Sequence, residues 1–313
     1  MGRMTLQFPS PGYWSRMNIY LAEMLPLHKH LLVSVLLYLG VYTFVGRVNG
    51  VQFSLPTVFF FLGIGSLLAV SLLIRLMDEI KDKELDEQLF SQRPLPSGRV
   101  FDSDIRFSIA AVAVLYLAAN FWTGPTFGVA LIVLAYAFVM FKHFFMPHIL
   151  QKNLLLTLAT HNPIVPIVYL HLLALFTAEH GLTFQTIDWR YTLPLILMYW
   201  AMSFAWEIAR KIRSPQEENQ YVTYSRIFGP RGAVLVAAGA QTVSFAIGLY
   251  FYWRLSLSPL FAVTLAGAYA ITIWGHIRFM LLPSPATSKL KNFAELFIIL
   301  VLIAQSIEHG LLS

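Results

Sequence analysis

The chain has 313 residues, of which 57% are hydrophobic and only 12% charged, and its mean hydropathy is +0.65. Soluble domains usually carry about 25% charged residues, so the composition excludes an ordinary water-soluble domain and predicts an integral membrane protein. The sequence contains no cysteine, which excludes a disulfide framework and a thiol site. The net charge of +6 is accounted for by membrane topology, and no nucleic-acid partner is expected.

Nine apolar segments follow one another, each near the roughly 20 residues that a helix needs to cross a bilayer. Their approximate ranges are 25–45, 56–76, 106–122, 126–142, 154–177, 192–209, 231–252, 258–280 and 290–310. The run His161-Asn162-Pro163 falls inside the fifth segment and predicts a proline kink there. We therefore predict an all-α fold, a polytopic bundle of about nine transmembrane helices around a central cavity, as one domain over 1–313.

The distribution of positive charge predicts the orientation of the bundle. With the N-terminus placed in the cytoplasm, all of the 22 Lys and Arg residues except Arg47, Arg190 and Arg254 fall on the cytoplasmic side. Residues 1–20 are then a cytoplasmic N-terminal segment, which lacks the apolar core of a signal peptide. We expect a multi-pass protein of the bacterial inner (plasma) membrane, surrounded by membrane lipid.

An acidic run follows the second apolar segment. Half of the sixteen acidic residues lie between Asp78 and Asp104, and Asp78, Asp82 and Asp86 recur every four residues. On a helix this spacing places like charges on one face, where they repel. A divalent cation relieves the repulsion, and Mg²⁺ prefers carboxylate and phosphate oxygens. The run therefore predicts a metal site that faces a phosphorylated ligand at the membrane surface.

A second polar cluster ends the sixth segment, and by the predicted topology it lies on the same side. Pro215 is expected to terminate the helix. The segments 77–104 and 207–230 would form two cytoplasmic cap loops over the cavity, with carboxylates binding metal and cations binding phosphate oxygens. The charged residues of this cluster are Glu207, Arg210, Lys211, Arg213, Glu217 and Glu218.

These motifs resemble the signatures of the UbiA superfamily of intramembrane prenyltransferases. The first signature reads N-D-x-x-D-x-x-x-D followed by R-P-L-P-S-G. Asp78 stands at the Asn position, Glu79 at the next acid, and Asp82 and Asp86 at the spaced aspartates. The segment Arg93 to Gly98 matches the hexapeptide without change.

The sequence departs from the family pattern at three places, which indicates a divergent member. In the second signature, D-x-x-x-D, Ser214 stands at the first paired aspartate and Glu218 at the second. In the family's Y-x-x-x-K, Tyr136 is retained but Met140 occupies the Lys position. The arginine that usually precedes the proline of the first span is missing from Glu23-Met24-Leu25-Pro26.

The resemblance implies Mg²⁺-dependent transfer of an isoprenyl group from an isoprenyl diphosphate donor to a lipid-soluble or aromatic acceptor, with release of pyrophosphate. It implies metal binding by Asp78, Asp82, Asp86, Glu217 and Glu218. The expected catalytic residues are Asp78, Asp82 and Asp86, with Glu79 or Glu207 as the base. The expected diphosphate-binding residues are Arg93, Lys142, Arg210, Lys211 and Arg213. The expected cavity aromatics are Tyr136, Tyr199 and Trp206.

Several alternatives stay open on the sequence. A terpene cyclase of the same superfamily would ionise the diphosphate and fold the cation onto its own double bonds. An enzyme that joins a phosphosugar donor to a polyprenyl phosphate is a third possibility, since the second acidic pair is altered. A transporter or channel would place its ionisable residues near the midplane, whereas here the carboxylates gather at one end of the spans. The second cluster could also be purely structural, with Glu207 and Lys211 paired on one helix face.

Overall fold

A computed structural model describes residues 12–52, 57–124, 126–218 and 222–310, with side chains as far as Glu308. Within these residues the secondary structure is helical and contains no strand, so the predicted all-α fold is confirmed. The helices are α1 Tyr13–Met24, α2 Leu27–Val48, α3 Val58–Lys81, α4 Lys83–Leu89, α5 Asp102–Phe121, α6 Thr126–Phe141, α7 Pro147–Leu150, α8 Leu154–His161, α9 Ile164–Glu179, α10 Trp189–Ala209, α11 Tyr224–Arg254, α12 Pro259–Leu281 and α13 Leu290–Gly310, and a 3₁₀ turn, His143–Phe145, precedes α7.

Nine apolar helical segments correspond to the predicted membrane spans. In the part of the chain that the structure describes, eight are long and apolar enough to cross a membrane, α8 and α9 together counting as one, and α6 is a shorter apolar helix. Side chains cap the starts of several of these helices. Thr57, Asn153, Asp188, Thr223 and Ser258 accept a backbone N–H at the starts of α3, α8, α10, α11 and α12, which satisfies one of the donors that a helix start leaves free.

Helices that follow one another along the chain pack side by side and close a ring. The contacts run α2–α3–α5–α6–α9–α10–α11–α12–α13, and α13 returns to α2. Helix α9 also contacts α2 and α3, so it lies towards the middle of the bundle. The alternating directions place the C-terminal ends of α3, α6 and α10 together. We call this end the charged face, made of residues 77–106, 142–153, 207–218 and 282–291.

Breaks in the helices occur where the backbone lacks a donor. The fifth predicted span is two helices, α8 and α9, separated at Asn162 and Pro163. Proline has no N–H and cannot continue the ladder, and the predicted kink is confirmed. In α11 the break falls at Gly229, whose φ is +72°, directly before Pro230.

In the half of the bundle away from the charged face, the centre is filled by side chains. Tyr38, Phe44, Leu172, Phe176 and Phe251 are all fully buried there. Val41, Tyr169, Thr192, Leu195 and Tyr199 are among the residues around a small cavity in this half, which has room for about one water molecule. The interior of this half is therefore close-packed.

Helix α1 lies against the charged face. The prediction treated residues 1–20 as a cytoplasmic segment; Met1–Pro11 lie outside the described residues, and the remainder belongs to this helix. Met17 and Tyr20 are buried against Leu76 of α3 and Leu95 of the hexapeptide. Arg16 donates two hydrogen bonds of 2.6 Å to the Asp104 carboxylate at the start of α5. Helix α1 thus ties the first loop to two membrane helices.

Candidate active site

The last two turns of α3 carry the first carboxylates of the acidic run. Asp78 pairs with Lys81, with 2.6 Å between Oδ1 and Nζ. Glu79 is fully buried and its Oε1 accepts a hydrogen bond from Arg75, while its Oε2 is buried without a hydrogen-bond partner. Glu79 therefore holds one oxygen that only a further donor or cation can satisfy.

Asp82 ends α3 and precedes α4, where the chain leaves the predicted membrane region. Solvent reaches its side chain, yet protein surrounds it closely enough that loss of hydration raises its pKa to about 6. The charges of Lys81 and Lys211 oppose this rise, and those of Asp78 and Asp86 add to it. Since Lys211 follows α10, its influence on Asp82 shows that the two charged loops lie within electrostatic range of each other.

The hexapeptide folds back on the acidic run. Arg93 Nη1 donates a hydrogen bond of 2.7 Å to Oδ2 of the buried Asp86, and its guanidinium lies 4.0 Å from the centre of the Phe90 ring. The Val100 N–H bonds to the Pro94 carbonyl at 3.0 Å. Gly98 supplies a φ of +74° within this turn, a conformation that glycine adopts without steric cost. The hexapeptide thus forms a turn in which Arg93 is ion-paired with Asp86.

The sequence predicted three aspartates stacked on one helix, and the structure divides them between α3, the junction and α4. Backbone hydrogen bonds from Asp82 N to Asp78 O (2.8 Å) and from Asp86 N to Asp82 O (2.9 Å) continue the four-residue spacing across the junction. Their side chains, however, have different partners, because Lys81 pairs with Asp78 and Arg93 pairs with Asp86. Among the residues described, no three His, Asp or Glu side chains converge on a site for a metal ion as they stand.

The second loop begins with an ion cluster on the last turn of α10. Glu207 Oε2 lies 2.5 Å from Arg210 Nε, and its Oε1 lies 3.3 Å from Lys211 Nζ. Arg213 donates from Nη1 to the backbone carbonyls of Arg210 and Ile212 at 3.0 and 2.9 Å. Three cations therefore lie within one turn, and Glu207 pairs with two of them.

Hydroxyl groups hold the other two carboxylates of this loop. Glu217 Oε2 accepts hydrogen bonds from the backbone N–H and the hydroxyl of Ser214, at 3.1 and 2.7 Å. Burial raises the pKa of Glu217, but hydrogen bonds from Ser214 and from Ser288, in the loop before α13, outweigh it and lower that pKa below its ordinary value. Glu218 accepts hydrogen bonds of 2.7 Å from the hydroxyls of Thr223 and Ser225. As the structure stands, both glutamates brace the loop.

The three predicted cavity aromatics lie at different depths and do not line one chamber. Trp206 lies at the charged face, where its Nε1 donates to Glu295 at 3.1 Å. Tyr136 donates to the Thr160 carbonyl at 2.8 Å. Tyr199 is buried in the opposite half of the bundle, where it donates to Gln305 Oε1 at 2.6 Å and borders the small cavity.

Lys142 follows α6 and is exposed. Its Nζ lies 4.9 Å from the centre of the Phe141 ring and 5.8 Å from that of the exposed Phe138. A lysine that lies on exposed aromatic rings is typical of the membrane–water interface. The adjacent His143 has its ring nitrogens buried instead.

Comparison with known proteins assigns this arrangement of helices and acidic loops to a family. The sequence model of the UbiA prenyltransferase family matches residues 39–301. The chain belongs to the UbiA prenyltransferase family. The predicted membership of the UbiA superfamily is thereby confirmed. A comparison with curated protein sequences finds no significant match.

Two solved structures share the fold of this UbiA family member. One comes from work on digeranylgeranylglyceryl phosphate synthase in membranes: it has a TM-score of 0.64 and 15% identity, with 94% of this chain and 99% of that chain covered. The other is the apo structure of a UbiA homolog from Aeropyrum pernix K1, with a TM-score of 0.63, 15% identity, and coverage of 88% and 95%. At this identity the likeness establishes the fold.

The carboxylates of the UbiA chain fit a hard cation by their chemistry. Asp82 has a raised pKa, and Glu79 keeps one oxygen without a partner. Neighbouring cations compensate the charge of Asp82 only in part, and Arg75 engages only one oxygen of Glu79. Mg²⁺ binds carboxylate oxygens of this kind. Two existing ion pairs, Asp78–Lys81 and Asp86–Arg93, would open for all three aspartates to reach one ion.

Sequence reasoning missed several residues of the charged face. Arg75 neutralises Glu79, and Tyr20 of α1 lies within electrostatic range of both. On α13, Lys291 and Glu295 pair at 3.3 Å, beside Trp206. The four-residue spacings of Arg75–Glu79 and Lys291–Glu295 were visible signals, whereas the position of Tyr20 depends on how α1 folds back.

Proposed function

We propose that the protein is a Mg²⁺-dependent intramembrane prenyltransferase that moves an isoprenyl group from an isoprenyl diphosphate to a lipid-soluble or aromatic acceptor and releases pyrophosphate. Membership of the UbiA prenyltransferase family supports the reaction class. One observation carries the choice of site. Asp82, with its raised pKa, lies within electrostatic range of Lys211 of the other loop, so carboxylates and cations oppose each other at the charged face.

The first loop would hold the metal through Asp78, Asp82 and Asp86. When bound, Mg²⁺ supplies positive charge that stabilises the negative charge developing on the leaving pyrophosphate. Glu217 and Glu218 were predicted as ligands of a second ion; their hydroxyl partners, chiefly Ser214 and Thr223, would have to exchange for it. We therefore propose that the first loop supplies the principal metal ligands.

Cations of the second loop would bind the phosphate oxygens directly. Lys211 is only 13% exposed in its side chain and already lies near Asp82. Arg210 and Arg213 flank it, and Arg93 reaches from the hexapeptide. Fixed positive groups that meet charge formed only in the transition state lower the barrier more than they stabilise the bound donor. Lys142 is proposed only as an outer attraction for the donor, because its ammonium lies on exposed rings.

Two carboxylates are candidates for the base that removes a proton from the acceptor. Glu79 has an oxygen without a hydrogen-bond partner, whereas both oxygens of Glu207 are engaged by Arg210 and Lys211. We favour Glu79, since a base needs a free lone pair within reach of the proton. The cation intermediate would be shielded from water by the apolar ends of the helices, with Trp206 nearest to the charged loops.

The predicted orientation completes the proposal. With the charged face in the cytoplasm, the chain obeys the positive-inside rule, and water-soluble pyrophosphate would leave on the cytoplasmic side of a bacterial inner membrane. A buried network in the membrane region, formed by Ser66, Tyr116, Asn120 and His171, consists of neutral hydrogen-bonding groups. It offers no carboxylate or cation for a transport pathway.

A single assay series tests the function. The purified protein is incubated with Mg²⁺ and geranyl, farnesyl or geranylgeranyl diphosphate, with and without membrane lipid extract, and pyrophosphate and products are quantified. We expect pyrophosphate release that depends on the extract. Release without extract together with a cyclic hydrocarbon would favour the cyclase, and no release with any donor would refute prenyl transfer.

Two aspartate variants localise the chemistry. Asp82→Asn removes the carboxylate with the raised pKa and is expected to reduce turnover at least about 100-fold, the scale of losing one electrostatic stabiliser of the transition state. Asp102→Asn is the matched control, because Asp102 is a partly exposed aspartate that pairs with Arg106 on the surface. Equal activity of the two variants would contradict the assignment of the site.

A further inference from the structure

The turn after α6 has an unusual backbone. His143, Phe144 and Phe145 have φ angles of +48°, +50° and +59°. Residues other than glycine rarely adopt this left-handed conformation, and three in succession persist only where the surroundings hold them. Such conformations cluster at functional sites, which makes the side chains that this turn positions candidates for a functional role.

The turn sends adjacent side chains to different environments. Phe144 packs edge-on against Tyr136 of α6, at 5.7 Å between ring centres, and against His161 of α8, at 5.8 Å. Lys142, directly before the turn, lies exposed on Phe138 and Phe141. His143, by contrast, is turned inward with both ring nitrogens buried.

Two histidines in this region retain unused hydrogen-bonding atoms. Neither ring nitrogen of His143 has a partner among the described residues, and the same is true of Nε2 of His161. His161 Nδ1 lies 3.2 Å from the Thr160 hydroxyl. A buried polar nitrogen without a partner is unfavourable, so these three atoms point to a ligand.

The charges around the two rings indicate which kind of ligand. Both histidines lie within electrostatic range of Lys81 and Asp78, the ion pair at the start of the acidic run. Burial, aided by Lys81, lowers the pKa of His143, with Asp78 opposing, so the ring is neutral near pH 7 and carries one N–H. A ring N–H donor within electrostatic range of the Lys81 ammonium suits an anion.

We propose that His143 and His161 are diphosphate-binding residues: His143 donates a ring N–H to a phosphate oxygen of the donor, His161 accepts through Nε2 from a protonated oxygen or a bound water of the same group, and Lys81 lies within electrostatic range of both rings. This inference rests on the proposed prenyltransferase function. His143 would then bind the diphosphate in place of Lys142, which is exposed. The left-handed turn directs the side chain of His143 inward and leaves that of Lys142 pointing outward.

Binding measurements with an unreactive donor separate this role from catalysis. Wild type and variants in nanodiscs are titrated with farnesyl thiolodiphosphate and Mg²⁺, and with inorganic pyrophosphate as competitor. His143→Asn shortens the side chain but keeps a residue type that tolerates positive φ. We expect it to weaken binding of both probes about tenfold, the scale of one hydrogen bond to a charged group. His143→Gln keeps an N–H at greater reach and is expected to recover most of the affinity.

Controls distinguish the possible failures. His148→Asn changes an exposed histidine of the same loop and is expected to leave affinity unchanged. His161→Asn is expected to weaken binding as His143→Asn does, which keeps the test valid if either variant alone unfolds, as judged by its melting temperature. Wild-type affinity in both folded variants, while Asp82→Asn abolishes binding, would overturn the histidine assignment alone. Absence of binding to the wild type would overturn the prenyl diphosphate site itself.

Discussion

Gly40 of α2 and Tyr199 of α10 lie so close together that the methyl group added by Gly40→Ala tests how tightly these two helices pack. A Cβ built on Gly40 would lie 2.9 Å from the Tyr199 hydroxyl and 3.3 Å from Cδ2 of Leu302. Carbon and oxygen atoms normally approach to about 3.4 Å or more, so Gly40→Ala forces the hydroxyl about 0.5 Å away from its present position. That hydroxyl is held by its 2.6 Å hydrogen bond to Gln305 Oε1 and cannot move without weakening it.

The magnitude follows from two opposing contributions. Overpacking of a well-packed core costs about 1–3 kcal/mol, and replacing a helical glycine by alanine recovers about 1 kcal/mol. Gly40→Ala is therefore expected to lower the free energy of unfolding by about 0–2 kcal/mol. Tyr199→Phe leaves Gln305 Oε1 without a donor, at a cost of about 1–3 kcal/mol. In the Tyr199→Phe background the contact with the hydroxyl is gone and only the 3.3 Å contact with Leu302 Cδ2 remains, so Gly40→Ala should cost less stability than it does in wild type.

The assay is a double-mutant cycle by thermal or denaturant unfolding in one detergent. We expect the double variant to be more stable than the sum of the single effects by about 1–2 kcal/mol, a typical coupling for residues in contact. Gly267→Ala is the control, since nothing lies within 4 Å of a Cβ added there. Additive effects of Gly40→Ala and Tyr199→Phe would refute the close approach of α2 and α10. Wild-type turnover in Tyr199→Phe would agree with a structural role for this tyrosine.

Three further predictions concern the charged loops. Arg93→Met leaves the buried Asp86 without its cation and is expected to lower the free energy of unfolding by about 1–3 kcal/mol. The loss is smaller than for a fully buried ion pair because solvent screens the partly exposed arginine. A melting temperature equal to that of wild type would contradict this prediction. Gly98→Ala meets no atom but places alanine at a φ of +74°, which should cost about 1–2 kcal/mol in the same measurement. The folded pKa of Glu217 lies below its ordinary value, so its stabilisation is present above about pH 4.3, the unfolded value, and is lost as pH falls through the folded pKa. Proteolysis of the 210–218 loop should therefore increase with acid in wild type and be pH-independent in Glu217→Gln, and identical profiles would be evidence against the bracing role.

Local patterns in the sequence were sufficient for the number and type of the membrane-spanning segments. Each span is a run of apolar residues long enough to satisfy its own backbone hydrogen bonds in lipid, and this requirement does not depend on the neighbours. The break between α8 and α9 could be predicted for the same reason, because Pro163 lacks its donor wherever it lies. The acidic motif was recognised from Asp78, Asp82, Asp86 and the unchanged hexapeptide, and the family match agrees with that recognition.

The partners of individual side chains could not be predicted in this way. Glu217 and Glu218 have the composition of metal ligands, yet hydroxyls of Ser214, Thr223 and Ser225 engage them. Those hydroxyls become available only because the loop folds back on itself.

The linear sequence by itself determined that this is a helical membrane protein with its carboxylates gathered at one end, since hydropathy and charge act residue by residue along the chain. Only the tertiary structure decided that Lys142 lies outward while His143 lies inward, that Asp82 and Lys211 come within electrostatic range of each other, and that α1 braces the first loop. These arrangements depend on contacts between segments far apart in sequence, and the free energy of such contacts is set by packing geometry that no local pattern encodes.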